Sequence, residues 1–96
     1  MLSFNLKNKY YKMYQEGTKD TEYRLASDFW HSRLKNIKIG DTVKLVRAYT
    51  SEHLLATLVK IDLVTHSQLP SYVMRLLYRK DMPYYAIKLE ITSLNL

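Results

Sequence analysis

A chain of 96 residues, 47% hydrophobic and 25% charged, is sized and composed for one globular domain with its own core, which excludes a wholly disordered chain. It has no cysteine, which excludes disulfides and thiolate metal sites and fits a reducing, cytoplasmic compartment. Net charge is +6, with ten Lys/Arg against five Asp/Glu in residues 1–50 and five against four in residues 51–96, so a polyanion-facing surface is expected in the first half.

Leu2, Phe4 and Leu6 alternate with polar residues, which is the period of a strand. Residues 7–16 follow as a helix, with Tyr10, Met13 and Tyr14 at helical spacing, and Gly17 stands where a helix-ending glycine belongs. Residues 18–25 read as extended and polar. Ser27 or Asp28 caps a short helix to Leu34, with Trp30 and Leu34 on one face. Gly40-Asp41 turns the chain into an alternating strand over 42–49, and 50–53 is a connecting turn.

Residues 54–64 form a long strand. Leu55, Thr57, Val59, Ile61 and Leu63 share one face; the other runs from apolar Leu54, Ala56 and Leu58 to Lys60, Asp62 and Val64. Pro70 occupies the first turn of a helix that continues from Tyr72 to Tyr78 and is broken at Asp81-Met82-Pro83. Residues 84–91 are a last strand, with Tyr85, Ile87, Leu89 and Ile91 inward. The two consecutive middle strands should pair antiparallel. The expected fold over 1–96 is therefore α+β, a small barrel-like sheet of about five to six strands with two or three short helices. Neither an apolar leader nor a membrane-length apolar run is present, so no membrane partner is expected.

One segment carries chemistry. Gly17-Thr18-Lys19-Asp20-Thr21-Glu22-Tyr23-Arg24 packs two cations and two acids into a stretch entered from a helix-ending glycine. Glu22 and Arg24 are two apart, so on a strand they share a face. Lys19 joins them only if the chain bends near Thr18 to Asp20. Converged, the lysine supplies a point charge and the arginine a planar fork for phosphate or base edge. The glutamate holds the arginine, accepts from an exocyclic amine, or acts as acid/base. The alternative is a Glu–Arg pair on a solvated strand, worth little. On such a polar face, replacement of Lys19 or Arg24 would leave folding nearly intact.

The pattern Gly17-x-Lys19-x-x-Glu22-x-Arg24 after a first helix resembles the signature of the ASCH domain family, a branch of the PUA-like β-barrels, in its short phage and bacterial form. Phe29-Trp30 with Arg33-Leu34 resembles the aromatic short helix of those members. Ile39-Gly40-Asp41-Thr42-Val43 resembles the strand opening shared across PUA-like barrels, and Tyr85-Ala86-Ile87-Lys88-Leu89 the terminal strand. The resemblance implies a small barrel with a cleft beside the first helix, floored by Lys19, Glu22 and Arg24, and RNA-linked function. Some short members resemble amidohydrolases of N4-acetylcytidine, in which the motif lysine works with a threonine three residues later and a distant glutamate. Here Glu22 fills the threonine position and no glutamate stands in 71–80. Other members resemble ribonucleases of single-stranded RNA, for which Lys19, Tyr23 and Arg24 are available.

Nine tyrosines interleaved with cations suit base stacking. Tyr10 and Tyr14 share a helix face, so at least one should be core, which leaves Tyr11 as the stacking candidate, with Tyr49 at a strand end as another. Trp30 is expected as a core anchor. His31, His53 and His66 lack metal-ligand spacing, no serine has a nucleophile context, and no glycine loop cradles phosphate, so neither metal nor cofactor is expected. The leading expectation is an RNA- or nucleotide-binding module whose ligand meets Lys19, Glu22, Tyr23, Arg24, Tyr11 and Tyr49. A small hydrolase using Lys19 and Glu22 and a tyrosine-rich protein-interaction domain are the alternatives. Whether the protein is an enzyme, and its oligomeric state, are left open.

Overall fold

A computed structural model describes residues 1–77 and 79–94, so the expected helix end at Tyr78 lies outside them. The elements are β1 (Ser3–Leu6), α1 (Asn8–Glu16), β2 (Thr21–Leu25), α2 (Asp28–Leu34), β3 (Thr42–Arg47), β4 (His53–Val64), a 3-10 turn (His66–Gln68), α3 (Ser71–Met74) and β5 (Tyr84–Leu94). The strands form one sheet in the order β1-β3-β4-β5-β2. β1 runs parallel to β3, and the other neighbours, β3–β4 among them, are antiparallel. The sheet curls into a half-barrel. Its two edges meet through side chains: the Arg24 guanidinium of β2 lies 5.1 Å from the Phe4 ring of β1. This is the small α+β, barrel-like architecture expected, and no described helix is long and apolar enough to cross a membrane.

Strand alternation holds until the chain breaks it. In β4, Leu54, Ala56 and Leu58 are the buried positions. Leu58 then pairs with Leu89 and Lys60 with Lys88, which leaves Val59 as an extra residue. Such a bulge reverses which parity faces inward. After it Ile61, opposite Ile87, packs on the core. The single face expected for Leu55 through Leu63 is therefore split. β3 ends at Arg47 rather than at residue 49, because Ala48 and Tyr49 take φ of 32° and 63°. Those left-handed values turn the chain and cannot extend a strand.

The main core joins Phe4 and Leu6, Tyr11 and Tyr14, Val43 and Leu45, the inner face of β4, and Ile87 with Leu89. Trp30 packs against it, stacked on Phe4 at 5.5 Å, as an anchor should. A second cluster, Leu69, Val73 and Tyr84, ties α3 to the outer face of the sheet near β2. α3 is one turn with Pro70 at its N-cap, shorter than expected, and the 3-10 turn before it is closed by a Thr65/Gln68 capping box.

Tyr11 is fully buried, and burial together with the Glu52 carboxylate facing its hydroxyl raises its pKa.

Candidate functional site

The site begins where α1 stops. Gly17 takes φ +77°, and the Thr18 amide reaches back to the Met13 carbonyl at 2.9 Å, a closure that requires the left-handed residue. The chain reverses through this turn. Lys19 and Asp20 run back beneath α1 before β2 begins at Thr21, and the Leu89 amide holds the Asp20 carbonyl at 2.7 Å. This is the bend that Lys19 needed, and it brings Lys19 Nζ to 3.7 Å from Glu22 Oε1.

Glu22 is the most deeply buried charged residue among the described residues, its side chain 4% exposed. The Tyr14 hydroxyl donates to Oε1 at 2.9 Å, and Arg24 Nη1 donates to Oε2 at 2.6 Å. Arg24 Nη1 also reaches the Tyr23 carbonyl at 2.9 Å. Its guanidinium lies 5.1 Å from the Phe4 ring and 5.3 Å from the Trp30 ring. Both carboxylate oxygens are thus engaged internally. Glu22 orients Arg24, faces two cations and lines the cleft, with a further lone pair on each oxygen.

Lys19 sits among rings. Its ammonium is 5.6–5.9 Å from the centroids of Tyr10, Tyr14, Tyr23 and Tyr72. It donates to the Thr21 carbonyl at 2.7 Å and lies 3.4 Å from the Tyr72 hydroxyl. Burial lowers the lysine's pKa, opposed by the Glu22 carboxylate and assisted by Arg24. Burial likewise raises those of Tyr14, Tyr23 and Tyr72, so all three hydroxyls stay protonated donors at neutral pH. The solvated polar face expected for the motif is corrected: the Lys19 side chain is only 7% exposed and that of Arg24 24%.

These groups line a cleft of about 310 Å³ between the sheet edges. Asn5, Leu6 and Lys7 from the end of β1 form one wall; Lys19, Glu22, Tyr23 and Arg24 form the floor. Tyr10 comes from α1, and Tyr72, Val73, Leu76 and Leu77 come from α3 and the turn after it. An apolar-walled cleft with a few convergent charges is the usual form of a small-ligand site, and this volume is at the lower end of their range. Among the described residues no group of three His, Cys, Asp or Glu is placed to hold a metal ion.

Four of the six expected ligand contacts, Lys19, Glu22, Tyr23 and Arg24, come together here. Tyr11 does not: it is fully buried in the core and has no face to offer. On α1, Tyr14 lies angularly between Tyr10 and Tyr11, so all three belong to one arc, and the cleft takes the Tyr10 edge. Tyr49 is 91% exposed in the β3–β4 turn and does not line the cleft. Tyr72 was missed, since nothing local links it to a lysine 53 residues away. Tyr14 was readable as core, but not as the donor to Glu22.

No family model matches the chain, and no curated protein matches its sequence. Among solved structures it is similar to the crystal structure of hypothetical protein PH0355, with a TM-score of 0.66 over 95% of this chain and 98% of that one, at 18% identity. A likeness at this identity extends to the fold and no further.

Proposed function

We propose that this protein is a cytoplasmic RNA- or nucleotide-binding module of ASCH-like, PUA-like type, and that it takes one base or nucleotide in the Lys19 cleft. The observation that carries this reading is the convergence of Lys19, Glu22 and Arg24 in one ring-walled cavity. Arg24 has Nη1 committed to Glu22 and Tyr23, and no bond from its other nitrogens is made among the described residues. Those nitrogens are donors for phosphate or a base edge. Tyr10, Tyr23 and Tyr72 offer partly exposed ring surface for a base. The net charge of +6 favours a polyanion. The likeness of Gly17-x-Lys19-x-x-Glu22-x-Arg24 to the ASCH signature supports the same ligand class.

The test is titration of labelled single-stranded RNA at increasing salt. Affinity is expected to fall with a logarithmic slope of about −0.7 for each phosphate engaged. Affinity that is unchanged between low and physiological salt would count against an electrostatic RNA site.

A second reading, a small hydrolase of a modified nucleoside or of RNA, is favoured by one observation. Lys19 is a buried amine of lowered pKa beside the Tyr72 hydroxyl, which is how enzymes activate lysine. Incubation with N4-acetylcytidine and with single-stranded RNA separates the two. Turnover abolished by Lys19→Ala would promote the enzyme reading over the binding one.

A further inference from the structure

A second run of contacts leads from the cleft to the open surface. Arg24 lies 5.3 Å from the Trp30 ring, Trp30 meets Phe29 edge-on at 5.4 Å, and the Arg33 guanidinium lies 4.2 Å over the Phe29 ring. Cations and rings follow one another along this path. Phe29 is 57% exposed and Arg33 is exposed as well. The main core is closed beneath α2 by Leu34 and Trp30, so Phe29 is not needed there. With Arg33 over one face, the exposed remainder of the Phe29 ring and the outer face of the guanidinium are flat surfaces on which an unpaired base can stack. Past Arg33 the surface continues as a shallow groove whose polar lining is Ser3, Asn36, Asp41 and Thr42. Lys35 and Lys38 follow in the chain, so cations outnumber the acids Asp28 and Asp41 in this stretch.

We propose that Phe29 and Arg33 form a second nucleotide subsite, so that the ligand is a single-stranded oligonucleotide rather than a free nucleotide. One residue enters the Lys19 cleft, its neighbour stacks on Phe29, and the phosphate beyond it meets Arg33. This rests on the reading of the cleft as a nucleotide site. Arg24 and Trp30 are the boundary between the two positions.

The experiment compares a labelled RNA octanucleotide with the four nucleoside 5′-monophosphates, using the native protein, Phe29→Ala, Phe29→Tyr and Arg33→Gln, each checked for folding by circular dichroism. The native protein should bind the octanucleotide more tightly than any monophosphate. Phe29→Ala should weaken the octanucleotide roughly ten-fold or more and leave monophosphate binding unchanged, while Phe29→Tyr retains both. Arg33→Gln should weaken the octanucleotide and make its salt slope shallower by about 0.7. Equal affinity for both ligands, or an octanucleotide indifferent to Phe29→Ala and Arg33→Gln, overturns the second subsite and leaves the cleft reading standing. Failure to bind either ligand overturns both.

Discussion

Glu22→Ala is expected to destabilise the domain by about 3–5 kcal/mol, a large part of what a domain of this size has. Both carboxylate oxygens are committed, to Tyr14 and Lys19 on one side and to Arg24 on the other. Removing the carboxylate leaves a lysine that is 7% exposed and an arginine that is 24% exposed without their counter-charge. It also strips the Tyr14 hydroxyl of its acceptor. For a domain near 100 residues each kcal/mol moves the melting temperature by about 4–8 °C, so the drop should exceed about 12 °C. Glu22→Gln keeps the shape and one acceptor and should lose less. The double variant Lys19→Met/Glu22→Leu removes the more buried cation with its counter-charge and leaves the partly exposed Arg24. It should lose less than the two single changes combined, because a buried pair replaced whole by apolar groups is far less damaging than a pair broken in half. Thermal melts that change by only a few degrees in Glu22→Ala would show that the carboxylate is not the counter-ion of the cluster.

Arg24→Lys is expected to weaken single-stranded RNA by about 10- to 100-fold, the scale of a lost hydrogen bond to a charged group. The substitution keeps a positive charge for Glu22, so folding should survive it. What it removes is geometry. A guanidinium held by Nη1 to Glu22 and lodged by the Phe4 and Trp30 rings has a fixed plane and free edges; an ammonium has neither plane nor fork. The expected signature is therefore an affinity loss with a nearly unchanged salt slope, read by anisotropy. Lys9→Ala, on the exposed side of α1, should do the reverse: a small loss and a shallower slope. Native-like affinity in Arg24→Lys would mean that the site needs charge at this position and not the fork.

The order of elements was legible because backbone geometry imposes its periods locally. Phe4 and Leu6 alternate, Gly17 ends a helix, and Glu22 and Arg24 project from one face wherever the strand forms. The motif of Lys19, Glu22 and Arg24 was legible for the same reason, while the bend that joins Lys19 to the other two was only a condition. Burial was not. A Lys-Glu-Arg cluster reads as solvated until α1 and α3 are laid over it, and those contacts join residues far apart in the chain, such as Lys19 with Tyr72. The three tyrosines of α1 share one arc, so only the docking of the helix on the curled sheet sends Tyr11 inward and leaves Tyr10 at the cleft. The bulge at Val59 is likewise invisible to alternation, since pairing with β5 sets it. Local period depends on each residue's own backbone; the side of an element that faces the ligand depends on partners brought together by the whole fold.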